Sequence, residues 1–582
     1  MKNALKKPNI SRQSLVFALL FAVSALFMLW KLPYGLGGSD EAFYLTVPYR
    51  LYLGDRLFFD EWHLSQLASF FTLPFVTLYL DLTGSTEGIM LAARCVYAAL
   101  HALCALVIYL RLKNLGALSI AASILFMLFT PFDMMCYSYN TLAVDALALA
   151  GVFAGTARPC ARADYVLAGA FFAAAVVCCP YLVSAYVVFA LAVLVAARAR
   201  ARREYDNAVL TWRAFGLVTC GAAIMAALFA VFFFSHCSID ELLAAMPGLF
   251  TDPEHPKYSL WFMIKHYAYC LLTAHRWIII PLGLYVVSLL ALIADKSRRA
   301  HAHAHLALAA VCALLCFALF SKELVSDYYN AVMLPLAMPG FTAYLLLENK
   351  PRALFTASFA LGVYYSACVC ATSNMGFDVL SMAFAVVDVA SCAFLALLLK
   401  ERADMPKKRA RILRAAAIAP LVCMAALVVT VKAVHCFWDA PPKYLDHELD
   451  RGPARGIITS ERLGTDYERV FDDMQSYAAR TPGKLLIYAP QTWCTLALPE
   501  GYECASFSAW LSGQDERTEA RLALYYDLNV AKFPDYVYVL KDNAFAQPGL
   551  DGARIFSDAE ANGFTVEENG VSWKLTRENI HQ

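Results

Sequence analysis

The sequence predicts an all-α polytopic membrane protein of about 13 transmembrane helices, followed by a small extracytoplasmic α/β domain. Composition is the first observation: of 582 residues, 60% are apolar and only 16% are charged, with a mean hydropathy of +0.54. Soluble proteins carry roughly 25% charged and 45–50% apolar residues, so this composition excludes an ordinary soluble domain or a disordered chain. The 48 basic and 47 acidic residues leave a net charge of +1, which excludes a typical nucleic-acid-binding protein.

The second observation is the number of apolar stretches long enough to cross a bilayer, for which a helix needs about 20 residues. Thirteen stretches qualify or nearly do: 14–32, 87–111, 115–132, 140–157, 164–179, 181–197, 212–235, 276–294, 305–321, 328–346, 353–372, 376–399 and 414–437. Arg158 and Arg162 precede the run around Pro180, and Arg198 to Arg203 follow it. Basic flanks on the same side favour two short spans with a turn at Pro180 over one long broken helix.

Basic residues orient these spans. With a cytoplasmic N-terminus, the predicted inside loops hold 25 of the 48 Lys and Arg residues, the outside loops and span ends hold nine, and 14 lie beyond residue 440. The positive-inside rule therefore places the N-terminus in the cytoplasm and the C-terminal domain outside the cell membrane.

The polar residues concentrate in the predicted outer loops, 33–86 and 236–275, of a membrane domain that spans 1–439. The stretch 64–80 and the aromatic segment around Trp261 are predicted as helices that lie at the membrane surface. Residues 440–582 form the extracytoplasmic domain, with helices at 464–480 and 515–527 and strands at 485–488, 536–540 and 571–575. Cys494 and Cys504 are either a disulfide or two buried thiols.

An acidic pair, Asp40-Glu41, follows the first span within Ser39-Asp40-Glu41-Ala42-Phe43-Tyr44. Together with the long loop behind it and the exterior C-terminal domain, the pair resembles the GT-C membrane glycosyltransferases, in particular the protein O-mannosyltransferases and the bacterial aminoarabinose transferases. Further similar segments are Gly54-Asp55-Arg56, Asp60-Glu61-Trp62-His63, Tyr137-Ser138-Tyr139-Asn140, and Tyr328-Tyr329-Asn330 through Pro335. The resemblance implies that the Asp after the first span is catalytic.

The function that this resemblance implies is transfer of a hexose or pentose from a polyprenyl-phosphate donor to a hydroxyl acceptor, with inversion at the anomeric carbon. Such a reaction needs a base for the acceptor proton and cations for the phosphate leaving group. Asp40 is the candidate base, and Glu41 is a candidate catalytic or orienting partner. The candidate phosphate cations are Arg56, Lys265, Arg276 and Lys322, although an interfacial anchor equally explains Lys322.

Arg94 lies within the second predicted span, where a charge costs roughly 2.5–3.5 kcal/mol, so the sequence predicts an ion pair with an acid of an outer loop. Further candidate substrate-binding residues are Asp60, His63, Asp133, Tyr139 and Asn140. Asp133 corresponds to a loop where some GT-C relatives carry a second acid, but an exposed loop acid is the simpler interpretation. Asn140 is either a sugar ligand or a helix cap.

No cofactor is required by this chemistry. A divalent metal is compatible with it, but the sequence holds no HExxH or paired CxxC motif and no nucleotide-binding loop. The expected partners are the lipid-linked sugar donor, the bilayer, and an acceptor that is a protein, a glycolipid or a wall polymer. Nucleic acid is not among them.

Two other functions compete with the transferase. One is a transporter or flippase of a lipid-linked or cell-envelope substrate, for which ionisable groups in mid-membrane are typical. The other is an assembly protein whose exterior domain binds wall polymers.

Overall fold

A computed structural model describes residues 12–158, 161–201, 207–249, 259–273, 276–319, 334–372, 380–507, 516–541 and 563–577. The helices of the membrane domain are α1 (Arg12–Lys31), α2 (Gly38–Tyr52), α3 (Ser69–Thr83), α4 (Ile89–Leu112), α5 (Leu118–Leu128), α6 (Tyr139–Gly155), α7 (Arg162–Cys178), α8 (Val183–Ala201), α9 (Trp212–His236), α10 (Ile239–Leu249), α11 (Leu260–Leu272), α12 (Ile279–Ala294), α13 (Ala302–Leu319), α14 (Leu334–Leu346), α15 (Arg352–Leu354), α16 (Leu361–Thr372), α17 (Leu380–Glu401) and α18 (Lys407–Val434). A π-helical turn, Phe355–Ala360, joins α15 to α16.

Each of the thirteen predicted stretches overlaps a helix of the structure. Within the described part of the chain, eight helical runs are long and apolar enough to cross a membrane, and α5, α6 and α14 are shorter apolar helices. The stretch 115–132 is the clearest departure from the prediction. Its helix α5 has 11 residues, since Phe129 and Thr130 are extended, and Pro131 then opens a 3-10 turn in which Phe132 and Asp133 have positive φ angles of 58° and 57°.

The hairpin predicted at Pro180 is confirmed. Helix α7 ends at Cys178, a 3-10 turn covers Pro180–Leu182, and α8 begins at Val183. At the other end of this hairpin, the hydroxyl of Tyr165 donates to the carbonyl oxygen of Ala208 at 3.5 Å. The beginning of α7 and the loop after α8 therefore lie at the same end of the bundle.

The helix ends separate into two faces. We call the end that carries Lys31, Asp133, Tyr139 and His435 the domain face, since the C-terminal domain packs there. At the opposite end, the basic face, Arg111 pairs with Asp164 at 2.7 Å. This separation agrees with the alternation of loops that the basic residues predict, while the orientation of the two faces in the membrane stays a prediction.

Apolar side chains cover the outer surface of the bundle between these faces. Val187, Val231 and Leu290 expose 55–72% of their surface on α8, α9 and α12. Exposed apolar surface of this extent on long helices is what a bilayer covers. The chain is therefore a multi-pass membrane protein.

The C-terminal domain contains a mixed five-stranded sheet. Its elements are β1 (His447–Glu448), β2 (Ile458–Thr459), α19 (Glu461–Gln475), β3 (Lys484–Tyr488), α20 (Trp493–Leu496), β4 (Glu503–Cys504), α21 (Glu516–Leu528), β5 (Tyr536–Leu540), β6 (Phe564–Glu568) and β7 (Ser572–Arg577). The strand order is β4-β3-β5-β7-β6, with β3 parallel to β4 and β5, and with β7 antiparallel to β5 and β6.

The three strands predicted for this domain are confirmed. Strand β6 was not predicted because its exposed residues lack the apolar alternation of a half-buried strand. Cys494 and Cys504 are two buried free thiols, not a disulfide.

A buried arginine joins the first outer loop to this domain. The Arg50 guanidinium donates to Asp55 and Glu61, each at 2.7 Å, and to the carbonyl oxygens of Asp60 and Ser506 at 2.8 and 2.7 Å. Lys532 of the C-terminal domain binds the second oxygen of Asp55 at 2.5 Å. The loop and the domain thus share one buried set of charged hydrogen bonds.

Substitution of this arginine is expected to separate the loop from the domain. Arg50→Gln leaves the carboxylates of Asp55 and Glu61 with less positive charge in a buried site, and breaking a buried ion pair typically costs about 3–5 kcal/mol. We expect a lower free energy of unfolding and faster proteolysis of the C-terminal domain in detergent. The matched control is Arg462→Gln on the exposed surface of α19. Equal stability of the two variants would contradict a central role for Arg50.

Candidate active site

The segment between α1 and α2 brings the acidic pair to the domain face. Gly35 has a φ of +89°, and a Cβ there would lie 2.8 Å from the Cβ of Cys436. A Cβ on Gly37 would overlap the carboxylate of Glu41. Only glycine fits these two positions, and the chain therefore turns closely over the beginning of α4 before α2 starts.

Glu41 and Arg94 form a bidentate ion pair. The guanidinium donates to the two carboxylate oxygens of Glu41 at 2.5 and 2.6 Å, and to the carbonyl oxygens of Leu32 and Gly35 at 2.7 and 2.6 Å. Both side chains are almost completely buried. The ion pair predicted for Arg94 is thereby confirmed, and Glu41 is its acid.

Asp40, on the first turn of α2, is half-buried and lies on a different side of the helix from Glu41. Its charge acts on Tyr44, Tyr139 and Cys136. Burial is the main reason that the pKa of Tyr44 is raised well above its usual value, and the neighbouring Tyr139 and Asp40 raise it further. The carboxylate of Asp40 is therefore close to the aromatic side chains at the start of α6.

Two hollows are lined by neighbours of Asp40 in the chain, and Asp40 is not a lining residue of either. The charged hollow contains Glu41 and Arg94 and is lined by Lys31, Tyr34, Gly35, Gly37, Glu41, Arg94, Asp133, Met134, Met135, Cys436 and Phe437. The aromatic hollow contains Tyr44 and is lined by Phe43, Tyr44, Val47, Ser65, Ala68, Ser69, Thr72, Tyr137 and Ser138.

Asp133 is buried in a cationic cluster and is not the exposed loop acid of the simpler interpretation. It contacts the ammonium group of Lys432, and lies 3.8 Å from Lys31 Nζ and 3.7 Å from His435 Nδ1. Burial alone would raise the pKa of Asp133, but Lys432, Lys31 and His435 together lower it to about 2. Lys432 also donates to Thr130 at 2.6 Å.

Sequence reasoning missed Lys31 and Lys432 as site residues. Each is near the end of a span, where a lysine usually reaches out to the headgroup region. In the structure both turn inwards and are almost completely buried. The one signal in the sequence was a pair of lysines at the ends of two spans on the same side as an acidic loop residue.

The predicted sugar-binding segment lies beside Asp40. The rings of Tyr139 and Tyr44 are 5.9 Å apart and edge to face. Ser138, and not Asn140, caps α6, because its hydroxyl accepts from the amide of Thr141 at 3.0 Å in a capping box. The cap interpretation of Asn140 is therefore wrong, and its amide interacts with the hydroxyl of Tyr139.

The candidate ligands of the first outer loop are bound by other residues of the protein. Arg56 donates to the carboxylate of Asp60 at 2.8 and 3.0 Å and to Glu241 at 2.8 Å. His63 caps the 3-10 turn Leu64–Ala68 and accepts from the amide of Ser65 at 3.1 Å. Its ring also packs edge to face on Phe43, with 4.7 Å between centroids. These contacts hold the first outer loop in place, and the contact with Glu241 joins it to α10.

The remaining predicted cations lie elsewhere. Lys265 and Arg276 are exposed and lie over the rings of Trp261 and Trp277 at 5.2 and 5.1 Å, and neither lines the two hollows. Lys322 and the segment Tyr328-Tyr329-Asn330 fall outside the described residues. Among the residues that are described, no group of three or more His, Cys, Asp or Glu side chains is placed to hold a metal ion.

No family model and no curated protein matches the sequence. Solved structures of an archaeal oligosaccharyltransferase from Archaeoglobus fulgidus do match at 10% identity over 97% of this chain. The form tethered to an acceptor peptide gives a TM-score of 0.41 over 74% of its own chain. The apo form gives 0.40 and the complex with an inhibitory peptide and a dolichol-phosphate gives 0.38, each over 75%. At this identity and with TM-scores below 0.5, the likeness assigns no activity to this chain.

The Asp133 cluster predicts a specific acid sensitivity. Its folded pKa of about 2 lies below the value of about 3.9 in an unfolded chain, so its contribution to stability is complete above pH 4 and is lost as the pH falls towards 2. Asp133→Asn leaves Lys31 and Lys432 without their carboxylate. We expect it to lower the free energy of unfolding at pH 7 by about 3–5 kcal/mol and to flatten the pH dependence between 4 and 2.

Denaturation in detergent at several pH values measures both effects. Asp446→Asn is the control, since Asp446 is exposed on the domain face. An unchanged acid limb in Asp133→Asn would show that the pKa of Asp133 is not lowered.

Proposed function

We propose that this chain is an inverting glycosyltransferase that transfers a sugar from a polyprenyl-phosphate donor to a hydroxyl acceptor, with Asp40 as the general base. One observation carries the proposal. Of two adjacent carboxylates, Glu41 is bound through both oxygens by Arg94, whereas the charge of Asp40 acts on Tyr44 and Tyr139, and Tyr44 lines the aromatic hollow.

In the proposed reaction, Asp40 accepts the proton of the acceptor hydroxyl as its oxygen attacks the anomeric carbon. The bond from that carbon to the phosphate oxygen breaks, and the polyprenyl phosphate leaves with the electron pair. A single displacement without an enzyme nucleophile inverts the anomeric configuration. A positioned base contributes typically 10²–10⁴-fold to such a rate.

The charge that develops on the phosphate needs a cation close to Asp40. Lys31, Lys432 and Arg94 stand against the carboxylates of Glu41 and Asp133, and a third carboxylate, that of Asp439, binds the amide of Leu36 beside the charged hollow. Three buried or neighbouring carboxylates thus offset the three cations, and Lys31 and Lys432 are the amines held next to the hollow. Preorganised positive charge in a buried site stabilises a developing anion more strongly than water does. We therefore favour Lys31 and Lys432 over Arg56, whose guanidinium is bound by Asp60 and Glu241.

Tyr44, Tyr139 and Asn140 provide what a sugar requires, namely aromatic faces on which a pyranose stacks and an amide that bonds its hydroxyls. The transfer assay described below identifies the sugar, hexose or pentose, and the acceptor. No metal step is included, since Asp40 and the lysines suffice for the proposed displacement. Addition of EDTA to the assay tests that choice.

Asp40→Asn is expected to reduce transfer by 10²-fold or more without a loss of stability, because an amide cannot accept the proton and Asp40 is only half-buried. The assay uses purified protein in proteoliposomes. The donors are a panel of dolichyl- and undecaprenyl-phosphate hexoses and pentoses with a radiolabelled sugar, and the acceptor is a membrane extract from cells that lack the protein. NMR of the product gives the anomeric configuration.

The control for this assay is Asp446→Asn, which is expected to keep full activity. Full activity in Asp40→Asn would exclude Asp40 as the base, and a retained anomeric configuration would exclude the single displacement.

Glu41→Gln is expected to behave differently from Asp40→Asn. It leaves the buried Arg94 without its carboxylate, which typically costs about 3–5 kcal/mol, so the variant loses stability and its activity falls with the folded fraction. Denaturation together with the activity per folded molecule separates the two effects. A fully stable Glu41→Gln with strongly reduced turnover would instead assign the reaction chemistry to Glu41.

One feature favours the transporter as a second candidate. Asp388 on α17 is almost completely buried in the bundle, and its carboxylate has no hydrogen-bond partner among the described residues. Acidic side chains inside a membrane bundle often mark ion or proton pathways. Uptake of a lipid-linked sugar into vesicles without a covalent product, abolished by Asp388→Asn but not by Asp40→Asn, would favour transport over transfer.

A further inference from the structure

An apolar cavity of about 280 Å³ lies in the membrane domain near the basic face. Helices α6 to α9 and the π-helical turn Phe355–Ala360 enclose it together with α16. The lining residues are Ala150, Ala154, Ala168, Phe172, Ala185, Tyr186, Val188, Phe189, Ala192, Val209, Leu210, Val218, Thr356, Ala357, Ala360, Leu361 and Tyr364. Small alanine side chains on facing helices leave this space unfilled.

The cavity is remote from Asp40. Tyr139, near Asp40, and Ala154, in the cavity wall, are 15 residues apart on α6, which corresponds to about 22 Å along the helix axis. The end of the cavity at Ala154 and Leu210 therefore lies in the opposite half of the bilayer from the charged hollow, and Ala185, near the start of α8, extends the cavity towards the Pro180 turn. It also reaches the surface of the bundle, because Val188 lines it and is 48% exposed.

Basic side chains lie at the membrane-boundary end of the cavity. Arg200, at the end of α8, donates to the carbonyl oxygens of Asn207 and Leu210, and Leu210 is part of the cavity wall. Asn207 donates to Thr356, another wall residue, at 2.9 Å. Arg198 and Arg213 are exposed at the same end, whereas the nearby carboxylate of Asp164 is bound by Arg111.

We propose that the cavity holds one acyl chain of an anionic glycerophospholipid whose headgroup phosphate lies at Arg200. An apolar cavity that opens to the bilayer has no polar partners for water, so a hydrocarbon chain is the guest that fits it. Among the described residues, Arg198, Arg200 and Arg213 make this end of the cavity positive, which selects an anionic headgroup over a zwitterionic one. The sequence predicts that this end faces the cytoplasm, where anionic lipids are concentrated. The site is independent of the proposed transferase reaction, since its phosphate end lies on the opposite membrane face from Asp40.

Native mass spectrometry of the full-length, delipidated protein tests the site. Phosphatidylglycerol and phosphatidylcholine with identical acyl chains are added in turn, and we expect at least tenfold tighter binding of one phosphatidylglycerol. Ala192→Phe fills the cavity and is expected to weaken that binding tenfold or more, with Ala360→Phe as a second filling variant. Val187→Phe, on the exposed side of the same helix, is the matched control and should bind as the wild type does.

A second set of variants tests the role of the positive charge of Arg200. Arg200→Gln should remove the preference for phosphatidylglycerol, Arg200→Lys should retain part of it, and Arg198→Gln on the exposed side of α8 should retain it fully. Unfolding midpoints show whether each variant is folded. Equal binding of the two lipids, unchanged binding in folded Ala192→Phe and Ala360→Phe, or displacement of phosphatidylglycerol by undecaprenyl phosphate at lower concentration would each overturn the proposal.

Discussion

The ion pair between Arg94 and Glu41 is the interaction on which the candidate active site depends. A guanidinium inside the bundle is costly unless its donors are satisfied, and Arg94 satisfies them with one carboxylate and the carbonyl oxygens of Leu32 and Gly35. These partners come from the end of α1, the turn after it and the first turn of α2. One side chain of α4 thereby fixes the path of the chain immediately before and after Asp40.

The helical geometry of α2 then decides what Asp40 faces. Successive residues of an α-helix are about 100° apart around the axis, so a side chain next to Glu41 cannot share its direction. Residues four apart lie on the same face, which brings Asp40 together with Tyr44. The electrostatic influence of Asp40 on Tyr44 and on Tyr139 agrees with this placement. Because Glu41 is held by Arg94, Asp40 is the acid of the pair that faces the aromatic side chains.

The sequence predicted the helices well because composition and the loop charges both constrain a chain in a bilayer. It also predicted the partner class of Arg94, since an intramembrane cation requires an acid. It could not predict that Lys31 and Lys432 turn inwards onto Asp133, because a lysine at a span end has an equally good position in the headgroup region. Arg56 shows the opposite error: its local sequence suits a phosphate ligand, but the neighbouring Asp60 and the distant Glu241 together bind its guanidinium.

The C-terminal domain is more than a separate module, because it hydrogen-bonds the segment that leads to Asp40. The amide of Gly35 donates to the carbonyl oxygen of Ile458 at 2.9 Å, and the amide of Ile458 donates to that of Pro33 at 2.7 Å. Asp439 accepts from the amide of Leu36 at 2.9 Å. The segment that leads to Asp40 is thus bound by Arg94 of α4 and also by residues 439–458. We infer that docking of this domain fixes the segment that leads to Asp40, which the proposed role of Asp40 as a base requires.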